Sequence, residues 1–241
     1  MIATANHVLK ELQQHSNPQK ASGLSRFFKT GPGEYGEGDR FLGITVPVQR
    51  EVATIYRELP LTEIQKLLQS KTHEHRFTAL EILVLQYEKG SSKIQKDIYN
   101  FYIRNTQYIN NWDLVDTSVE YIVGPHLREK SKVLLYTWIK SKNMWERRMA
   151  LVATFEFIRH DEFSDTLQLA TLVLQDKHDL IHKASGWMLR EVGKRDKQVL
   201  IRFLNEHAST MPRTMLRYAI ERLSPIERTR YLSQKQKEKI Q

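Results

Sequence analysis

An all-α fold, wound as a solenoid of helix pairs, is what this sequence predicts, and three observations carry the prediction. Apolar residues cluster at spacings of three and four nearly throughout, as in EILVLQYEKG, KVLLYTWIK, RRMALVATFEFIR and DTLQLATLVLQD. That is the period of a helix burying one stripe. Helix-start signals recur between these runs: Thr62-Glu-Ile-Gln65 and Ser224-Pro-Ile-Glu227 both read as capping boxes, the second with Pro225 at the first helical position. A weak internal repeat links RFTAL at Arg76, RRMAL at Arg147 and HKASG at His182. A period near 35 residues, holding two helices, is what a HEAT-like or related α-solenoid requires. Such a stack would present a concave face suited to a long, charged partner.

Taken in order, the chain opens with MIATANHVLKELQQH, which lacks the basic region and apolar block of a signal peptide. The helical stretch ASGLSRFFK then runs into the one segment that breaks the pattern. Five of the ten glycines fall at positions 31, 33, 36, 38 and 43. Gly31-Pro-Gly33-Glu-Tyr-Gly36 matches the dinucleotide fingerprint in form, but it stands between a helix and more glycine rather than between a strand and a helix, so it is rejected. A long turn or small hairpin near residues 31–45 is expected, with Tyr35, Arg40 and Phe41 as possible ligand contacts. From there onward about a dozen helices of roughly 9 to 17 residues, joined by short links, account for the sequence. No shift in composition marks a boundary, so residues 1–241 read as a single domain with a frayed tail from about 233.

Composition narrows the chemistry. The absence of cysteine excludes disulfides, thiolate nucleophiles, Cys-ligated zinc and iron–sulfur clusters. No apolar run approaches the roughly 18 residues a membrane helix needs, and a cytoplasmic, nucleoid-associated monomer is expected. The net charge of +9 points to a polyanionic partner. It is concentrated at the end, with 13 Lys/Arg against 6 Asp/Glu from Arg190 on. Arg213, Arg217 and Arg222 recur through one predicted helix as a candidate stripe. The histidine pairs His178/His182 and His73/His75 lack an identifiable third ligand, and Asp179 stands where a hydrolytic zinc motif has Glu, so no metal is assigned. No cofactor is expected either.

Three motifs remain. In NNWDLVDTSVEYIVG, Trp112 and Asp116 share one helix face while Val115, Val119 and Ile122 line another. In WERRMALV, Arg148 sits among apolar residues, its stem buried and its head aimed at an anion or at a carboxylate such as Asp116 or Glu120. In KASGWMLREVGKRD, Gly186 would leave room for close approach over the Trp187 ring, unless Trp187 simply packs in the core. Trp138 fits the core.

These motifs, in this order, resemble the HEAT-like-repeat DNA alkylation-repair glycosylases of the AlkD type. The resemblance covers most of the chain, from HSNPQKASGLSRFFK through FLGITVPVQR to the KASGWMLRE helix. It implies excision of N3- and N7-alkylated purines from double-stranded DNA. Trp112, Asp116 and Arg148 would form the catalytic set, and Trp187 and Phe27 would contact the damaged nucleotide. Arg148 would, by the same resemblance, hold a backbone phosphate, and the basic C-terminal stretch offers Arg190, Arg213 and Arg217 as further DNA contacts. Asn111 stands where the family's best-studied type has a second tryptophan, and Phe27 where it favours tyrosine. Those departures and the glycine-rich insert are compatible with a branch that binds unusual DNA structures with little turnover.

Overall fold

The computed structural model describes residues 3–233, which are helical with no β-strand among them. They cluster into two compact units, one ending at Ile122 and the other beginning at Val123. Each unit is built of stacked helices, the architecture of an α-solenoid, so the all-α reading stands. The predicted frayed tail lies outside the described residues apart from Ser233.

The first unit holds α1 (Ala5–Gln14), α2 (Pro18–Phe27), α3 (Val46–Ile55), α4 (Leu61–Leu68), α5 (His73–Lys89), α6 (Ser92–Arg104), a 3-10 turn (Thr106–Tyr108) and the short α7 (Trp112–Asp116). Its spine is α5, against which α1, α3, α4, α6 and α7 all pack. Twelve residues of α5 are buried, among them His73, Glu74, Arg76 and Glu81. A helix enclosed on nearly every side must find a partner for each buried charge. Glu74 does so by accepting the backbone N–H groups of Leu42 and Gly43 at 3.0 and 2.8 Å.

Helix α8 (Val119–Leu127) carries the chain into the second unit, which continues with α9 (Val133–Trp138), α10 (Met144–Ala153), α11 (Phe155–Arg159), α12 (Ser164–Leu172), α13 (Asp179–Arg195), α14 (Lys197–His207), α15 (Arg213–Ala219) and α16 (Pro225–Leu232). Here α13 is the spine, packed by α10, α11, α12, α14 and α15. Trp138 is buried in this unit, as its surroundings in the sequence suggest.

The internal repeat has a physical basis at the starts of α5, α10 and α13. Ser70, Ser141 and Asp176 each use a side-chain oxygen to accept the backbone N–H two residues on, from Thr72, Asn143 and His178. The basic residue six positions on then donates back to the same residue's carbonyl: Arg76 to Ser70 at 2.9 Å, Arg147 to Ser141 at 2.9 Å, and His182 to Asp176 at 2.6 Å. Arg76, Arg147 and His182 are the residues at which the three sequence repeats begin. The repeat is thus a latch that closes each turn onto the helix it introduces.

Several sequence expectations are corrected. The NNWDLVDTSVEYIVG stretch is two helices, not one. After Asp116 the Ser118 hydroxyl bonds back to the Leu114 carbonyl at 2.6 Å and Thr117 turns its hydroxyl to Glu81, so side chains compete with the helix ladder. The Thr62 box does not form, because α4 begins at Leu61 behind Pro60 and Gln65 donates instead to Asn105 Oδ1 at 2.6 Å. The Ser224–Glu227 box is present. The glycine-rich segment is a series of turns, not a hairpin; Gly33, Gly38 and Gly43 take positive φ, and a Cβ at Gly43 would collide with the Asn17 carbonyl. Gly186 serves helix packing: a Cβ there would lie 2.5 Å from the Met215 carbonyl oxygen, so the glycine lets α15 approach α13.

Candidate active site

In the first unit the C-terminus of α2, the turn after the glycines, the start of α5 and α7 bring their side chains together. Phe28 is buried and stacks on Trp112 with ring centroids 5.4 Å apart and planes at 19°. Phe27, 62% exposed, meets the same indole edge-on at 6.0 Å. Behind Phe28 lie Phe41 at 5.1 Å and His73 at 4.8 Å. Trp112 therefore stands at the front of an aromatic stack with an imidazole at its back. Asp116 follows one turn later on α7, half-buried. Phe27, Trp112 and Asp116 are thus grouped in one unit.

Beneath the stack is a buried ionic cluster that sequence reasoning passed over. His73 Nδ1 bonds to Asp39 Oδ2 at 3.0 Å and its Nε2 to Asp113 Oδ2 at 2.7 Å. Arg76 donates to the other oxygen of Asp39 at 2.6 Å. Asn111 is fully buried; its amide donates to Asp39 at 3.4 Å and its carbonyl oxygen accepts the Trp112 N–H at 2.8 Å, capping α7. Two carboxylates facing both ring nitrogens require an imidazolium, which donates from each. Two cations and two anions then balance within the core, the condition under which buried charge is tolerated.

Burial alone would depress the His73 pKa, but the charge and hydrogen bond of Asp113 and the bond to Asp39 outweigh it and lift the value to about 9. For Asp39, burial pushes upward while His73 and Arg76 pull harder and hold the carboxyl below its ordinary range. His75 goes the other way, to about 4, through burial and the neighbouring Arg76. A raised pKa means the folded state binds the proton more tightly than the unfolded chain. The stabilisation by His73 is therefore complete below about pH 6.5 and is lost as pH climbs through about 9. Thermal melting followed from about pH 6 to about pH 10 should show this alkaline decline in the native chain and not in His73→Gln. An identical decline in both would remove His73 as its source.

In the sequence the pair His73/His75 suggests only a metal site. The usable signal was a histidine three residues before an arginine on a buried helix, with an unexplained Asp39 in the glycine-rich turns. Asn111, where the family's best-studied type has a tryptophan, is a partner of that aspartate.

In the second unit Arg148 is buried on α10, and its Nη1 donates to the Leu180 carbonyl at 2.6 Å, joining α10 to the start of α13. Trp187 on α13 is half-buried, 5.7 Å from the Phe155 ring, whose face also carries the Arg159 guanidinium at 4.3 Å. The arginines expected at a polyanion differ in their surroundings. Arg190 is gripped by Glu191 and Glu221. Arg213 donates to the Leu232 carbonyl at 3.0 Å and so ties α15 to α16. Arg217 is exposed on α15, while Arg222 is exposed beyond the end of that helix, so the stripe does not run through a single helix. Among the described residues no helix is long and apolar enough to cross a membrane, and no group of three or more His, Asp or Glu is arranged to hold a metal.

Comparison with known proteins agrees with this architecture. A family model described as DNA alkylation repair enzyme matches residues 8–223, running through both units. Among solved structures, one described as a predicted DNA alkylation repair enzyme from Enterococcus faecalis superposes with a TM-score of 0.70 at 19% identity, over 88% of this chain and 98% of that one. At that identity the likeness establishes the fold. No curated protein matches the sequence.

Proposed function

Because the chain belongs to the DNA alkylation repair enzyme family, we propose that it is a monofunctional DNA glycosylase that hydrolyses the N-glycosidic bond of cationic alkylpurines, such as 3-methyladenine and 7-methylguanine, in duplex DNA. The observation that carries the reading is Asp116 one helical turn from Trp112, on a short helix tied down at both ends.

An alkylated purine carries positive charge on the base, and a cation is attracted to an aromatic face by about 0.5–2 kcal/mol. Trp112 and Phe27 supply such surfaces within the first unit; within the second, Trp187 carries the same assignment. As the glycosidic bond breaks, the electron pair leaves with the purine, which becomes neutral, and positive charge develops on the sugar. Asp116 stabilises that oxocarbenium-like state and accepts a proton from the attacking water. The base already leaves readily, so a strong general acid is not required. Arg148 is assigned to a backbone phosphate on the family resemblance, its buried guanidinium also donating to the Leu180 carbonyl.

Release of free base from methylated duplex by the purified protein tests the reading. Tight binding without release would point instead to a protein that recognises distorted DNA.

Backbone contacts should make binding fall steeply with salt, since each neutralised phosphate releases counterions. Arg217, exposed, is the clearest C-terminal contact. Arg217→Ala is expected to reduce the slope of log affinity against log salt by about 1. Arg213→Ala should act chiefly on stability through its lost bond to Leu232. An unchanged slope in Arg217→Ala would take that residue out of the interface.

A further inference from the structure

We propose that the buried Asp39–His73–Asp113 bridge is what holds α7 in its working position, making His73 a positioning residue for the chemistry at Trp112 and Asp116. The inference rests on the glycosylase reading for its functional consequence, but the clamp itself stands on geometry.

Helix α7 is five residues long. Helices far below about 12 residues do not hold together alone, so its orientation must be imposed from outside. At its start, Asn111 caps the Trp112 N–H while bonding Asp39, and Asp113 places one oxygen on the Leu114 N–H and the other on His73. At its end, Thr117 bonds Glu81 at 2.5 Å, and Glu81 also takes Arg50 at 3.2 Å. His73 and Glu81 both belong to α5, so one rigid helix grips both ends of α7. The two residues assigned to the reaction, Trp112 and Asp116, are the ends of the segment so gripped. A second path runs through the rings, since His73 lies against Phe28 and Phe28 against Trp112.

Asp39 comes from the end of the glycine-rich turns and is anchored by three separate donors: His73, Arg76 and Asn111. This gives the insert a definite task, which is to deliver the carboxylate that orients the imidazole. The charged groups facing His73 are Asp39, Asp113 and Arg76. Its neighbours on α5 are directed elsewhere, Glu74 to the Leu42 and Gly43 amides and His75 to the Ser70 hydroxyl at 2.8 Å.

The test uses the full chain with His73→Gln and Asp113→Asn. Measurements are single-turnover release of 7-methylguanine, affinity for undamaged duplex, thermal melting, and amide hydrogen exchange across residues 112–116. We expect His73→Gln to bind undamaged duplex within about twofold of the native protein. Its base release should be about ten- to a hundredfold slower, the scale of a catalytic group displaced by a fraction of an ångström to an ångström. Exchange should accelerate at α7 more than elsewhere in the first unit. Excision within about twofold of native, or exchange raised evenly along the chain, would overturn the proposal.

Should His73→Gln fail to fold, Asp113→Asn carries the test through pH. Loss of the His73 proton should release α7, so native excision should fall at alkaline pH. Removing one of the two carboxylates loosens that proton, so in Asp113→Asn the fall should move to lower pH, and a limb that stays in place would count against positioning. If the native protein itself releases no base, the glycosylase reading fails separately. The clamp is then judged on exchange alone, where unchanged protection of residues 112–116 in the variants would overturn it.

Discussion

Asp116→Asn should slow base release from 7-methylguanine duplex by at least about a hundredfold while leaving affinity for undamaged duplex within about twofold. The substitution keeps the volume and leaves the five-residue helix with its cap and both tethers, so the geometry around Trp112 is retained. What is lost is negative charge, and that charge matters most when the sugar becomes cationic. An interaction made mainly in the transition state lowers turnover without weakening the ground-state complex. Asp113 is the neighbouring carboxylate that could be mistaken for it. Asp113 is bonded to His73 Nε2 and to the Leu114 N–H. Single-turnover kinetics at saturating protein are the measurement. A loss below about tenfold would end the catalytic assignment of Asp116.

Replacement of Trp112 by Leu should cost excision up to about thirtyfold, the equivalent of about 2 kcal/mol of cation–π attraction. The indole is half-buried and stacked on Phe28, so stability falls as well, though by less than the ~3–5 kcal/mol typical of a fully buried aromatic. The two effects separate when melting and kinetics are followed on the same samples. Trp187→Leu provides the parallel case in the second unit, where the lost partner is Phe155. If either variant melts far below the native protein while its folded fraction excises normally, that tryptophan is structural. The assignment to base recognition is then wrong for it.

Much of the architecture was legible in one dimension. The helical period gave the all-α class because burial of a stripe is a local requirement that every amphipathic helix writes into its sequence. The repeat was legible for a related reason. Arg76, Arg147 and His182 each close a latch onto a residue six positions back, an interaction short enough to leave a pattern in the chain. The aromatic–carboxylate pair Trp112 and Asp116 was equally visible, being one turn apart on one helix.

What escaped notice depends on contacts over long separations. His73 reads as a stray histidine until Asp39 and Asp113 are brought to its two nitrogens from segments 34 and 40 residues away. Arg190 and Arg213 read as candidate phosphate contacts until Glu221 and the Leu232 carbonyl are found against them. Gln65 reads as part of a capping box until Asn105 is brought to it from 40 residues away. A charge's partners are set by which segments the fold brings within about 3 Å, and no local periodicity encodes that. Spacing thus settles the helical class and the repeat, and the family model settles the family. Which charged side chains remain available for a ligand, and which are already bound within the core, is decided by packing, because a buried charge must be neutralised by whatever the fold places beside it.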